Sequence, residues 1–203
     1  MDRQRIAWAD NHRIAMRGSG VRRSIMKGAP RGDAVVVELG GAPMPLFHFT
    51  LHAYRSWNTD DPRGYVKRGE RGIQLPDESL AAARDGLAKF PPVTFDVSDQ
   101  QFLTAEAREV VQRRGWRLLG VTTIETHLHL VVGWDGTVDE GDAQAQLKRG
   151  FGFVLARRQG TKGRPYFSRG GVPERVKDKK HLRYLLYEYF PGHHGAMWRV
   201  ELE

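Results

Sequence analysis

The chain has 203 residues, 40% hydrophobic, 28% charged and 10% aromatic, which is enough apolar material for one core with an appended arm and too little for a membrane protein. No stretch approaches the roughly 20 apolar residues of a membrane span, residues 1–20 lack the apolar centre of a secretory signal, and the lack of cysteine excludes disulfide scaffolds and Cys-type zinc fingers while suiting a reducing cytoplasm. Lys and Arg number 32 against 24 Asp and Glu, a formal charge of +8, and residues 145–203 alone hold 13 basic and 5 acidic residues, a field that points to a polyanion as partner.

Residues 1–43 are rich in Arg and Gly, with weak periodicity before Val35-Val36-Val37. They read as a flexible basic arm, or as sequence upstream of a start at Met44. From Pro45 to Tyr54 the pattern alternates, with Phe47, Phe49, Leu51 and Ala53 on one side and His48, Thr50 and His52 on the other. Such a period of two predicts a strand with one buried face. The next loop, Trp57 to Gly64, carries Arg63, and Lys67, Arg68 and Arg71 sit just beyond it among glycines that let a backbone approach a ligand. They suit phosphate, and a solvated loop would carry the same residues.

Residues 77–88 predict a short helix ended by Pro91-Pro92, and Ser98–Arg114 a longer one with Ser98 and Gln101 as a capping box and a stripe of Leu103, Ala107, Val110 and Val111. Trp116–Ile124 and His127–Trp134 read as a hairpin whose connection, Glu125-Thr126, is poor turn material. Asp139–Arg158 is helical, weakened by Gly150 and Gly152. Tyr166-Phe167 and Arg175-Val176 read as short edge strands, and Lys177–Phe190 as a final helix stopped by Pro191. This order predicts an α+β fold, a mostly antiparallel sheet with helices packed on it, close to the ferredoxin-like arrangement.

Two features carry chemistry. On a strand, residues two apart share a face, so His127 and His129 project together while Leu128, Leu130, Val132 and Trp134 form the buried face. Paired imidazoles on a rigid strand make half of a divalent-metal site, and two surface histidines on a polar face are the plainer alternative. In the final helix Leu182, Leu185, Leu186 and Tyr189 follow helical spacing, which puts Tyr189 on the packed side, either as a core tyrosine or, if the helix lies over the histidine face, aimed at the metal. A tyrosine beside a metal-neutralised phosphate makes a nucleophilic phosphoryl-transfer site.

The first strand Phe47-His48-Phe49-Thr50, the loop Asp61-Pro62-Arg63-Gly64, the segment Thr126–Val132 and the tail Leu185-Leu186-Tyr187-Glu188-Tyr189 together resemble the HUH single-tyrosine transposases, in particular the REP-associated tyrosine transposases and their insertion-sequence relatives, over about Pro45 to Trp198. The resemblance implies that residues 44–203 form an HUH nuclease core. It also implies that His127 and His129 bind Mg²⁺ or Mn²⁺, and that Tyr189 attacks a phosphate of single-stranded or hairpin DNA to leave a 5′-phosphotyrosine. In the family a Gln or Asn one helical turn after the tyrosine often completes the metal shell. Here that position is His193, beyond Pro191, with His194 beside it. Lys148, Arg149, Arg157, Arg158, Arg164, Arg169 and Arg175 would follow the DNA backbone, and Trp57, Tyr65, Tyr166 and Phe167 would stack on bases or pack in the core. A cytoplasmic, nucleoid-associated monomer or homodimer is expected.

Two rivals remain open on the sequence. A non-catalytic nucleic-acid-binding domain descended from a transposase would bind such DNA without a covalent adduct. A 2H-type phosphoesterase would use His48-Phe49-Thr50, but its second motif is broken because His129 stands where Thr or Ser belongs.

Overall fold

The structure, a computed structural model, describes residues 44–202 apart from 68 and 136. The expected basic arm of residues 1–43 and the phosphate role of Arg68 therefore lie outside the described residues. The elements are β1 (Leu46–His52), α1 (Glu78–Leu87), α2 (Val97–Gln112), β2 (Arg117–Thr123), β3 (His127–Gly133), α3 (Glu140–Gln159), β4 (Glu174–Arg175), α4 (Lys179–Tyr184) running through a π-helical turn (Leu185–Tyr189) into α5 (Phe190–Gly192), and β5 (Ala196–Arg199). The strands form one sheet in the order β4-β1-β3-β2-β5, antiparallel throughout. This is the expected α+β class, and the order is compatible with a ferredoxin-like core extended by β5.

Both faces of the sheet are covered. Alternation along β3 sends Leu128, Leu130 and Val132 into a core shared with Leu103, Ala107 and Val111 of α2 and Leu147, Phe151 and Leu155 of α3. Val131, on the other face, packs with Leu119, Leu182, Leu185, Leu186 and Phe190 beneath the terminal helix. Gly120 lets that helix come close, because a Cβ there would lie 2.4 Å from Leu186 and 3.3 Å from Phe190.

Aspartate opens the four longer helices of the described chain: Asp77, Asp96, Asp139 and Asp178 each accept backbone N–H groups of the first turn, a cap worth about 1 kcal/mol. This corrects the expected Ser98/Gln101 box, since the helix starts earlier and Asp96 accepts the N–H of Asp99 at 2.7 Å. Gly150 does not break α3. Its bare Cα lets Val110 of α2 and Arg114, just past the end of that helix, approach, and a Cβ would lie 2.8 Å from each.

The β2–β3 connection is three residues, Ile124 to Thr126, with neighbouring chain in place of turn chemistry. Glu125 O accepts from Phe95 N and Thr126 O from Ala53 N, both at 2.8 Å. Tyr166 and Phe167 are buried, with Phe167 bridged to Ala53 rather than in a strand, so the stacking role expected for them gives way to packing.

The terminal helix departs most from expectation. It does not stop before Pro191: α5 continues to Gly192, with His193 still helical as its cap. The π-helical turn accounts for the tolerance. Phe190 N–H reaches back five residues to Leu185 O, and Pro191 has no N–H to give, so Leu186 O receives no donor from either. Arg199 of β5 fills the gap, donating from Nη1 to Leu186 O at 2.9 Å with its guanidinium 4.2 Å from the Tyr187 ring centre.

Candidate metal centre and tyrosine

The strand register assembles the site. On β1, Thr50 stands opposite His129 and His52 opposite His127; on β2, Thr122 stands opposite His129. His193 arrives from the end of α5. The ligand atoms of His127, His129 and His193 all lie within 4.8 Å of one another, a group able to hold a metal ion. The ring centres of His129 and His193 stack at 4.5 Å, and His127 meets both edge-on at 4.5 and 5.5 Å.

Hydrogen bonds decide which nitrogens are free. His127 Nδ1 is 2.9 Å from Thr126 Oγ1, while His129 Nδ1 is 3.0 Å from His48 Nε2 and 3.1 Å from Thr50 Oγ1. Buried polar atoms normally find partners. Nε2 of His129, Nε2 of His193 and Oγ1 of Thr122 are buried without one. The donor set is therefore convergent, nitrogen-based and unsatisfied, and it fits a divalent cation.

The electrostatics agree. Burial, ahead of repulsion from neighbouring imidazoles, pushes His127 down to about 4 and His129 to about 2. Burial also takes His48 to about 4, against an opposing pull from Glu174. His52 and His193 are lowered for the same first reason. Neutral imidazole is the form that ligates metal, so these groups are in the ligating state at neutral pH.

Tyr189 lies against this cluster. Its ring centre is 5.2 Å from His129, 5.7 Å from His48 and 4.7 Å from His193. Burial first, then Tyr184 and Glu174, raises its phenol above the ordinary value. Tyr187 is turned elsewhere: its hydroxyl accepts from Leu202 N at 2.7 Å and lies 3.2 Å from Glu201. Phe190, fully buried, backs the site at 5.9 Å from His48 and 6.0 Å from His129.

No family model, curated protein or solved structure matches the chain. The chemistry of the site alone therefore carries the functional reading.

The expected phosphate-contacting residues scatter. Arg63 has its charge felt at both His52 and His127, second to Lys148 at His52. It is held by Asp61 in a two-bond fork at 2.9 and 2.8 Å and stacked 4.5 Å from the centre of the exposed Trp57, whose ring meets His52 edge-on. Lys67 pairs with Glu70 at 2.5 Å. Lys148 is half-buried, donating to Ser168 O at 2.8 Å and Gly170 O at 2.5 Å, and so serves a loop.

Arg149 and Arg157 are exposed on α3, which packs on the face opposite the imidazoles. Arg158 on the same helix bonds Ser98 and sits over Phe102. Arg164 donates to Pro91 O at 3.3 Å, Arg169 is exposed, and Arg175 is exposed on β4. Sequence reasoning placed His48, Thr50 and His52 on one face but did not pair that face with His129. The alternation His48-x-Thr50-x-His52 was the available signal, and the register of β1 against β3 was what it lacked.

Proposed function

We propose that this protein is a metal-dependent, single-stranded-DNA nuclease of the HUH single-tyrosine transposase type, cutting and rejoining strands through a 5′-phosphotyrosine. The observation that carries the reading is the meeting of Tyr189 with the His127, His129 and His193 trio on one wall of the sheet. His127, His129 and His193 would hold the cation, which on binding would draw charge from the non-bridging oxygens of the scissile phosphate. Three imidazoles without a carboxylate suit Mn²⁺ better than Mg²⁺, which prefers oxygen ligands.

The tyrosine chemistry balances without an outside energy source. Tyr189 Oη forms a bond to phosphorus, the P–O3′ bond breaks, and the departing 3′-oxygen takes up the proton that the phenol releases to solvent. The reverse attack by a 3′-hydroxyl restores a phosphodiester and the phenol. One ester replaces another at each step, so strand transfer is reversible. The three ligands and the nucleophile all belong to one chain, so a monomer suffices for one cut. The exposed Trp57 and Arg63 flank the histidine cluster and suit a nucleobase and its phosphate. The 2H reading is disfavoured because His48 Nε2, its would-be catalytic atom, is spent on His129.

A labelled single-stranded hairpin incubated with the protein and Mn²⁺ tests the proposal. Cleavage abolished by chelator and by His127→Ala or His129→Ala is expected. Salt-dependent binding without any cleavage would leave the non-catalytic DNA-binding reading in its place.

A further inference from the structure

His48 is a buried histidine that the metal trio does not include, 8% exposed, with its Nε2 3.0 Å from Nδ1 of His129. Thr50 Oγ1 meets the same Nδ1 at 3.1 Å. A neutral imidazole carries one N–H, so two arrangements are possible. In the first, His129 Nδ1–H donates to His48 Nε2, with Thr50 Oγ1 as a second acceptor, and His129 Nε2 is a bare lone pair. In the second, His48 Nε2–H or the Thr50 hydroxyl donates to Nδ1, and the proton of His129 sits on Nε2. That N–H would then be buried with nothing to receive it, just as the lone pair of the first arrangement is buried with nothing to donate to it, since no partner reaches His129 Nε2. A cation at Nε2 satisfies the first arrangement and excludes the second.

We propose that His48 is a positioning residue: it accepts the Nδ1–H of His129, fixes that tautomer, and leaves Nε2 bare to face a metal alongside His127 and His193. The inference rests on the metal half of the function proposed above and is independent of the DNA chemistry. Partners of this kind orient a ligand and raise its basicity. The fold provides for the role twice. The β1–β3 register sets Thr50 directly across from His129, and the rings of Tyr189 and Phe190 lie against both His48 and His129.

Two measurements test it, neither of which needs catalysis. Long-range ¹H–¹⁵N correlation on the metal-free, histidine-labelled protein reads the tautomer of His129, and Nδ1 protonation is expected. Calorimetric titration with Mn²⁺ alone should show His48→Leu weakened about 10–100-fold, whereas His48→Gln, whose amide oxygen can take the same proton, stays within about threefold of the wild type. An Nε2-protonated His129 in the wild type overturns the role. So does wild-type Mn²⁺ affinity in a folded His48→Leu, or an equal loss in the Leu and Gln variants, which would mean packing alone. If His48→Leu does not fold, the wild-type tautomer decides. A wild type that binds Mn²⁺ with this tautomer but cuts no DNA would refute the nuclease and leave the role of His48 standing.

Discussion

Tyr189 and His193 stand four residues apart on the terminal helix, and their rings meet edge to face at 4.7 Å although Pro191 lies between them. The π-helical turn and the helical backbone at His193 keep both side chains on the wall that carries His127 and His129. The proposed nucleophile and the proposed third ligand are thus one structural unit. Removing His193 should cost metal affinity more than stability, because its Nε2 has no partner to lose. His193→Ala is expected to weaken Mn²⁺ at least about tenfold by calorimetry, by analogy with the cost of outer-shell changes, with little change in thermal midpoint.

Arg199 substitutes for the donor that Pro191 lacks. Arg199→Met should leave Leu186 O buried without a partner and lower stability by about 1–3 kcal/mol in urea unfolding. Pro191→Ala restores a backbone N–H, so the double variant should recover part of the loss. Additive losses in the two variants would contradict the coupling.

The imidazole cluster sets an acid limit. Burial holds His48 and His127 down to about 4 and His129 to about 2 in the folded protein, all below an unfolded value near 6.5. The unfolded chain therefore binds more protons as pH falls below about 6.5. The stability these groups contribute is present above that value and is lost as pH falls toward about 4, and for His129 further down. For His48 alone, 8% exposed, the shift corresponds to about 3 kcal/mol at most. Urea midpoints of the metal-free protein should fall between pH 7 and pH 4.5, and more shallowly in His48→Gln.

Gly120 is the contact point between sheet and terminal helix. Gly120→Ala would force Leu186 to move and should cost about 1–3 kcal/mol. Because Leu186 lies on the same helix as Tyr189, the variant should also slow any reaction of Tyr189. An unchanged thermal midpoint would mean that the helix has more freedom than its packing implies.

Much of this architecture was legible in the sequence, and the exceptions have physical reasons. Period-two alternation revealed β1 and β3, and a helical stripe revealed α2, because both patterns report burial on one side. The side of the terminal helix bearing Leu182, Leu185 and Leu186 was readable for the same reason. The paired faces of His127 and His129 followed from strand geometry alone.

Pro191 misled because its penalty was judged for an α-helix, whereas a π-helical turn removes the bond it would have broken and Arg199 mends the rest. Strand β5 was invisible, since Ala196–Arg199 has little alternation and is defined by its partner β2. The bond between His48 and His129 spans 81 positions, so only the register could bring it to light.

Mapping a covalent DNA–protein adduct tests the central claim most directly. After incubation with single-stranded hairpin DNA and Mn²⁺, followed by denaturation and proteolysis, mass spectrometry should find the nucleotide on Tyr189. The adduct should be absent from Tyr189→Phe and present in Tyr184→Phe and Tyr187→Phe. A protein that binds both Mn²⁺ and the hairpin yet yields no adduct, or yields one that persists in Tyr189→Phe, would contradict it.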